Sequence, residues 1–231
     1  MLKKITFSGI DTQTKISDIK KLYEKYPFIE FAFLYSQQAN PKGQGRYPRP
    51  VILKGYKNAG VPMALHLCGK IAHDLAHDGD WSVVYKELDG YMGLFNRIQM
   101  NIPRTNKFSK EITFPEDKQI IIQLHEGTEA FFDTYKNLDN IVGLQDSSGG
   151  HGVVETEWCL PETEPFGYAG GIAPENVVET VKAINEICDT DFWIDMETGI
   201  RTNDKFDIRK CEEICEKLVS NNLIGCSNPK N

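Results

Sequence analysis

The feature that most constrains this chain is an alternation. Short apolar runs end in a polar or glycine-rich turn, and stretches with helical spacing separate them. It is clearest over residues 141–201. There Ile141-Val142-Gly143-Leu144-Gln145-Asp146 opens into Ser147-Ser148-Gly149-Gly150-His151-Gly152. Phe166-Gly167-Tyr168-Ala169-Gly170-Gly171-Ile172 leads to a helix start at Pro174-Glu175-Asn176-Val177, and Phe192-Trp193-Ile194-Asp195-Met196-Glu197 runs into Thr198-Gly199. Apolar runs ending in Asp, Gly or Thr are what the strands of a parallel barrel present at its active face.

The rest of the chain extends the pattern. Residues 3–9 read as a strand ending at Ser8-Gly9, and Thr12 or Thr14 is placed to cap a helix carrying Ile16, Ile19, Leu22 and Tyr23 at helical spacing. Residues 29–36 are almost wholly apolar, as in a strand buried on both faces. A long loop over 37–50 gathers Lys42, Arg46 and Arg49. Helix is expected near 51–58 and over 70–91, 128–138, 175–188 and 207–219, with strands at 62–69, 94–102 and 118–127. Residues 103–117 lack a helical pattern, and 225–231 read as a loose tail. Eight strands at about 29 residues per unit predict an α/β fold, a single (β/α)8 TIM barrel over 1–231 with a degenerate crossover after strand four. A doubly wound open sheet is the structural rival.

Composition narrows the function classes. The formal net charge of −7 is spread along the 231 residues, which opposes a nucleic-acid partner. The chain enters a strand directly after Met1, and no apolar run approaches the roughly 18 residues of a membrane span. A soluble, cytoplasmic protein with no membrane partner is the expectation. The six cysteines form no CxxC pair, and Cys211 and Cys215 share a helix face with Ile208 and Leu218, so free thiols in the core are expected.

Polar residues gather where strands stop being apolar: Ser8, His66, Gln99 or Asn101, Gln123 or His125, Asp146, and Asp195 or Glu197. Side chains alternate, so about half of these face the barrel mouth. Left unpaired they would cost about 1–3 kcal/mol each, so they satisfy one another or meet a ligand. Gly170-Gly171 before a helix start, with Thr198-Gly199 in the next loop, occupies the phosphate position common to barrels after strands seven and eight.

These motifs resemble phosphoribosylanthranilate isomerase of tryptophan biosynthesis. Leu144-Gln145-Asp146-Ser147 with Gly149-Gly150-His151-Gly152 is similar to its strand-six motif, whose aspartate is the general acid. Residues 169–177 are similar to its phosphate loop and 194–200 to its last strand, with Thr198 where the family usually has serine. Gly45-Arg46-Tyr47-Pro48 resembles the loop whose arginine helps hold the anthranilate. The similarity covers about a quarter of the chain.

One departure bears on the chemistry. The family's first strand ends in Cys-Gly, and that cysteine is the general base of the Amadori rearrangement; here the sequence is Phe7-Ser8-Gly9. A hydroxyl sits far above a thiol in pKa, and each unit is worth about 1.4 kcal/mol, so Ser8 does not by itself take over proton abstraction. Asp11, His66 and Cys68 are the nearby candidates.

The resemblance therefore implies an isomerase-like enzyme, independent of metal and organic cofactor, acting on a small phosphorylated sugar or ribosyl adduct. Asp146 would protonate the ring oxygen, with Asp11 or His66 as base and Ser8 among the catalytic positions. Gly170, Gly171, Thr198 and Gly199 would hold the phosphate, and Arg46 would pair with a second anionic group. Gly149, Gly150, His151, Gln123 and Asp195 complete the ligand contacts. The alternative is a barrel that binds, senses or sequesters such a ligand without turning it over. His73 and His77, spaced i, i+4, are read as a solvated helix face, because the HExxH pattern would need glutamate where Asp74 stands.

Overall fold

The computed structural model describes residues 1–43, 45–104, 107–109, 111–146, 154–155 and 157–225. Eight parallel strands close into one barrel in chain order: β1 (Leu2–Ser8), β2 (Ile29–Tyr35), β3 (Met63–Cys68), β4 (Phe95–Asn101), β5 (Gln119–Leu124), β6 (Ile141–Gln145), β7 (Phe166–Tyr168) and β8 (Phe192–Met196). β1 lies against both β2 and β8. The connections carry α1 (Ile16–Lys25), α2 (Leu53–Tyr56), α3 (Lys70–Asp78), α4 (Ser82–Glu87), α5 (Glu129–Tyr135), α6 (Val177–Ile187) and α7 (Ile208–Ser220). This is the (β/α)8 barrel that the alternation predicts. No described helix is long and apolar enough to cross a membrane.

The strand register sorts the side chains. Thr6 stands beside Glu30 and Asp195, His66 beside Gln99, and Arg97 beside Gln119, all pointing inward. Their neighbours along each strand, such as Phe7, Phe31, Leu65 and Ile122, point outward and join the main core under the helices. A smaller apolar plug of Ile121, Val142, Leu144, Ala169 and Trp193 fills part of the barrel axis. Gly167 is required beside that plug, since a Cβ there would lie 2.4 Å from the Trp193 ring. Cys211 and Cys215 are buried free thiols on α7.

The crossover after β4 carries no helix among its described residues. Ile112 and Phe114 are buried in its place, with the Phe114 ring set edge-on against Trp81 and Tyr135. The Tyr135 hydroxyl accepts from the Ile112 N–H at 3.1 Å and donates to the Ser109 carbonyl at 2.8 Å.

Several expectations need correction. Neither Thr12 nor Thr14 caps α1; its N-cap is Lys15, without a side-chain bond, and the Thr14 hydroxyl turns back to Asp11. The helix expected over 70–91 is broken at Gly79, whose left-handed backbone (φ 69°) ends α3 with its N–H on the Leu75 carbonyl. The helix expected near 51–58 shrinks to one 3-10 turn (Pro50–Ile52) followed by the four residues of α2. The apolar run that opens into the Gly170-Gly171 loop is strand only as far as Tyr168. A small hairpin, β9 (Arg201–Thr202) with β10 (Lys205–Phe206), follows β8. Its turn residues, Asn203 and Asp204, both have positive φ, the conformation of a type I′ turn.

Candidate active site

The C-terminal ends of the strands enclose a narrow cleft that opens to solvent. β3 contributes His66, β4 Gln99 and Asn101, β5 Gln123, and the end of β6 Asp146. Residues 169–172 form one wall, and Asp195, Glu197, Thr198 and Gly199 the other. The strand alternation that places apolar residues under the helices delivers these polar ones to the mouth.

Two carboxyl groups stand out. Asp195 is buried, and the Ser8 hydroxyl donates to its Oδ1 at 2.5 Å. Burial pushes the Asp195 carboxyl up to about 8; the Ser8 bond opposes this, and the charges of Glu197, Asp146 and Glu30 reinforce it. Across the cleft, Gln123 Nε2 donates to Asp146 Oδ2 at 2.8 Å. Burial also lifts Glu197, against the pull of Arg46, which pairs with both Glu197 and Asp204. Burial drives the His66 imidazole down to about 3, so the ring is neutral at ordinary pH, and its Nε2 has no hydrogen-bond partner among the described residues.

Beneath the cleft lies a charged floor. Arg97 reaches Glu30 with Nη1 and Gln119 Oε1 with Nε at 2.9 Å, and its guanidinium stacks over the Trp193 ring at 4.1 Å. Thr6 donates to Glu30 at 2.7 Å. Burial alone would raise the Glu30 carboxyl, but Arg97, Lys4 and Thr6 outweigh it and hold it below the usual range.

The loops after β7 and β8 are locked together. Gly170 and Gly171 both take positive φ, and Asn176 secures the turn, donating to the Gly171 carbonyl at 3.0 Å and accepting from the Ala173 N–H at 2.8 Å. Thr198–Ile200 forms a 3-10 turn against it. A Cβ on Gly199 would stand 2.1 Å from the Ile172 carbonyl oxygen. Gly199→Ala is therefore expected to cost about 1–3 kcal/mol by forcing the loops apart, read as a lower Tm in thermal unfolding; an unchanged Tm would mean the loops part freely.

No family model and no curated protein sequence matches the chain. Solved structures do. N-(5′-phosphoribosyl)anthranilate isomerase from Pyrococcus furiosus superposes with a TM-score of 0.56 at 12% identity, covering 94% of this chain and 98% of that one. The dimeric phosphoribosylanthranilate isomerase from Thermotoga maritima, solved as monomers, gives 0.58 at 16% identity, covering 94% and 97%. A third such isomerase, in complex with reduced 1-(o-carboxyphenylamino)-1-deoxyribulose 5-phosphate, gives 0.55 at 13% identity, covering 95% and 100%. The fold is that of the phosphoribosylanthranilate isomerases.

On that isomerase fold, the residues singled out from sequence divide into three groups. His66, Gln123, Asp146, Asp195, Gly170, Gly171, Thr198 and Gly199 line one cleft, with Ser8 against Asp195. Asp11 and Arg46 do not line it. Asp11 accepts from Arg201 Nη2 at 3.0 Å and from the Phe206 N–H at 2.8 Å, tying the loop after β1 to the β9–β10 hairpin. Gly149, Gly150 and His151 lie outside the described residues. Cys68 is buried and its thiol is pushed up to about 12, chiefly by that burial, which leaves it unreactive. His73 and His77 stack on α3, each beside the acid that follows it.

Sequence reasoning passed over Glu30 and Arg97 altogether. The available signal was a lone charged residue inside each strand, Glu30 in an otherwise apolar run and Arg97 in one that also carries Asn96, Gln99 and Asn101.

Proposed function

We propose that the barrel is an isomerase that moves a proton on a phosphorylated sugar or ribosyl adduct, with Asp195 as general base and Asp146 as general acid. One observation carries this reading. Ser8 stands where the resembling family has its basic cysteine, and its hydroxyl holds a carboxyl whose pKa, about 8, lies in the range of a thiol. The carboxyl thus offers, on the neighbouring strand, the basicity that serine lacks. A base near the operating pH is the one best suited to take a carbon-bound proton. Asp146 faces the same cleft, and Gly170, Gly171, Thr198 and Gly199 supply backbone and hydroxyl donors for the phosphate.

The test is solvent deuterium incorporation next to the carbonyl carbon of aldose and ketose phosphates and N-ribosyl phosphates, followed by NMR. Product formation by the parent with a loss of about 10²- to 10⁴-fold in Asp146→Asn supports the acid role. Equal turnover by the two removes Asp146 from it. The neutral amides of Gln99, Asn101 and Gln123 favour a second reading, a binding barrel without turnover. Tight ligand binding with no exchange in any substrate would select it.

A further inference from the structure

We propose that the part of the ligand beyond its phosphate is an uncharged polyol received by His66 and Gln99, and not an aromatic carboxylate; this rests on the isomerase reading. Among the described residues, two buried polar atoms in the cleft lining have no protein partner, His66 Nε2 and Gln99 Oε1. The orientation of the Gln99 amide is fixed: its Nε2 donates to Asn101 Oδ1 at 2.8 Å, and Asn101 Nδ2 donates on to the Cys68 sulfur at 3.4 Å. The free atom is thus an acceptor, which a ligand hydroxyl satisfies and a carboxylate does not. The uncharged His66 ring completes the pair, since a hydroxyl both donates and accepts.

The charges of the cleft point the same way. Its described lining holds the three carboxyl groups of Asp146, Asp195 and Glu197, with no Lys or Arg. Arg46, the cation that the resemblance would assign to an anthranilate carboxylate, is spent on Glu197 and Asp204. The described lining also lacks a Phe, Tyr or Trp ring on which an aromatic group would stack. Among the described residues neither the charge nor the ring of an anthranilate finds a partner, whereas hydroxyl groups find two.

Calorimetry on the full chain decides the question, using inorganic phosphate, ribulose 5-phosphate and reduced 1-(o-carboxyphenylamino)-1-deoxyribulose 5-phosphate. The expected result is ribulose 5-phosphate binding about tenfold or more tighter than phosphate, with the carboxyphenylamino compound no tighter than phosphate. Gln99→Met and His66→Phe should each narrow the gap between ribulose 5-phosphate and phosphate while leaving the affinity for phosphate unchanged. Two variants keep the test open if one fails to fold. Tightest binding by the carboxyphenylamino compound would overturn the polyol assignment and leave the isomerase reading standing. Absence of binding by all three, phosphate included, would remove the isomerase reading with it.

Discussion

Asp195→Asn is expected to lower kcat/KM for the proposed proton transfer by about 10²- to 10⁴-fold while leaving the fold intact. Asparagine keeps an oxygen for the Ser8 hydroxyl, so the local hydrogen bond survives, and only the titrating group is lost. In the parent, activity should rise with pH and level off above about 8, because the working form of the base is the carboxylate. A rate that falls through that range would make Asp195 the acid.

The same substitution carries a stability signature. A carboxyl raised in the folded state contributes stability that is complete below its unfolded pKa, near 3.8, and is lost as pH rises towards 8. That loss is at most about 1.4 kcal/mol per pH unit. Asp195→Asn should therefore gain Tm over the parent at pH 8.5 and little at pH 4. A pH-independent difference between the two would show that burial does not hold Asp195 protonated.

Arg97→Met is expected to cause a larger loss of stability than Gly199→Ala or Asp195→Asn. It strands the Glu30 carboxylate, only 2% exposed, inside the barrel. Breaking a buried pair on one side costs about 3–5 kcal/mol, which for a chain of this size is a fall in Tm of about 10 °C. Adding Glu30→Gln should restore most of it, because the stranded charge, and not the missing side-chain volume, is the main cost. If Arg97→Met alone costs under about 1 kcal/mol, Lys4 at 3.6 Å suffices to hold Glu30.

The legible parts of the sequence were those with a local physical cause. Period-2 and period-3.6 apolar spacing marked the strands and helices, and a strand cannot change its inward face without losing its core. The break at Gly79 is also a local signal, outweighed by the apolar spacing on either side of it, whereas no turn is predicted from sequence at Asn203-Asp204. Asp146, Gly170 and Gly199 were readable because turns and strand ends tolerate few residue types.

What the sequence determined by itself is the barrel, the face that carries the polar residues, and the two loops that meet at Gly199. The tertiary structure alone decided which of those polar groups share one environment. Ser8 and Asp195 lie 187 positions apart and meet only because β8 closes onto β1. Arg97 and Glu30 are 67 apart and meet across the barrel interior. Asp11, so close to Ser8 in sequence, is drawn off by Arg201. Burial and pairing are properties of the closed barrel, and they separate the raised carboxyl of Asp195 from the lowered one of Glu30.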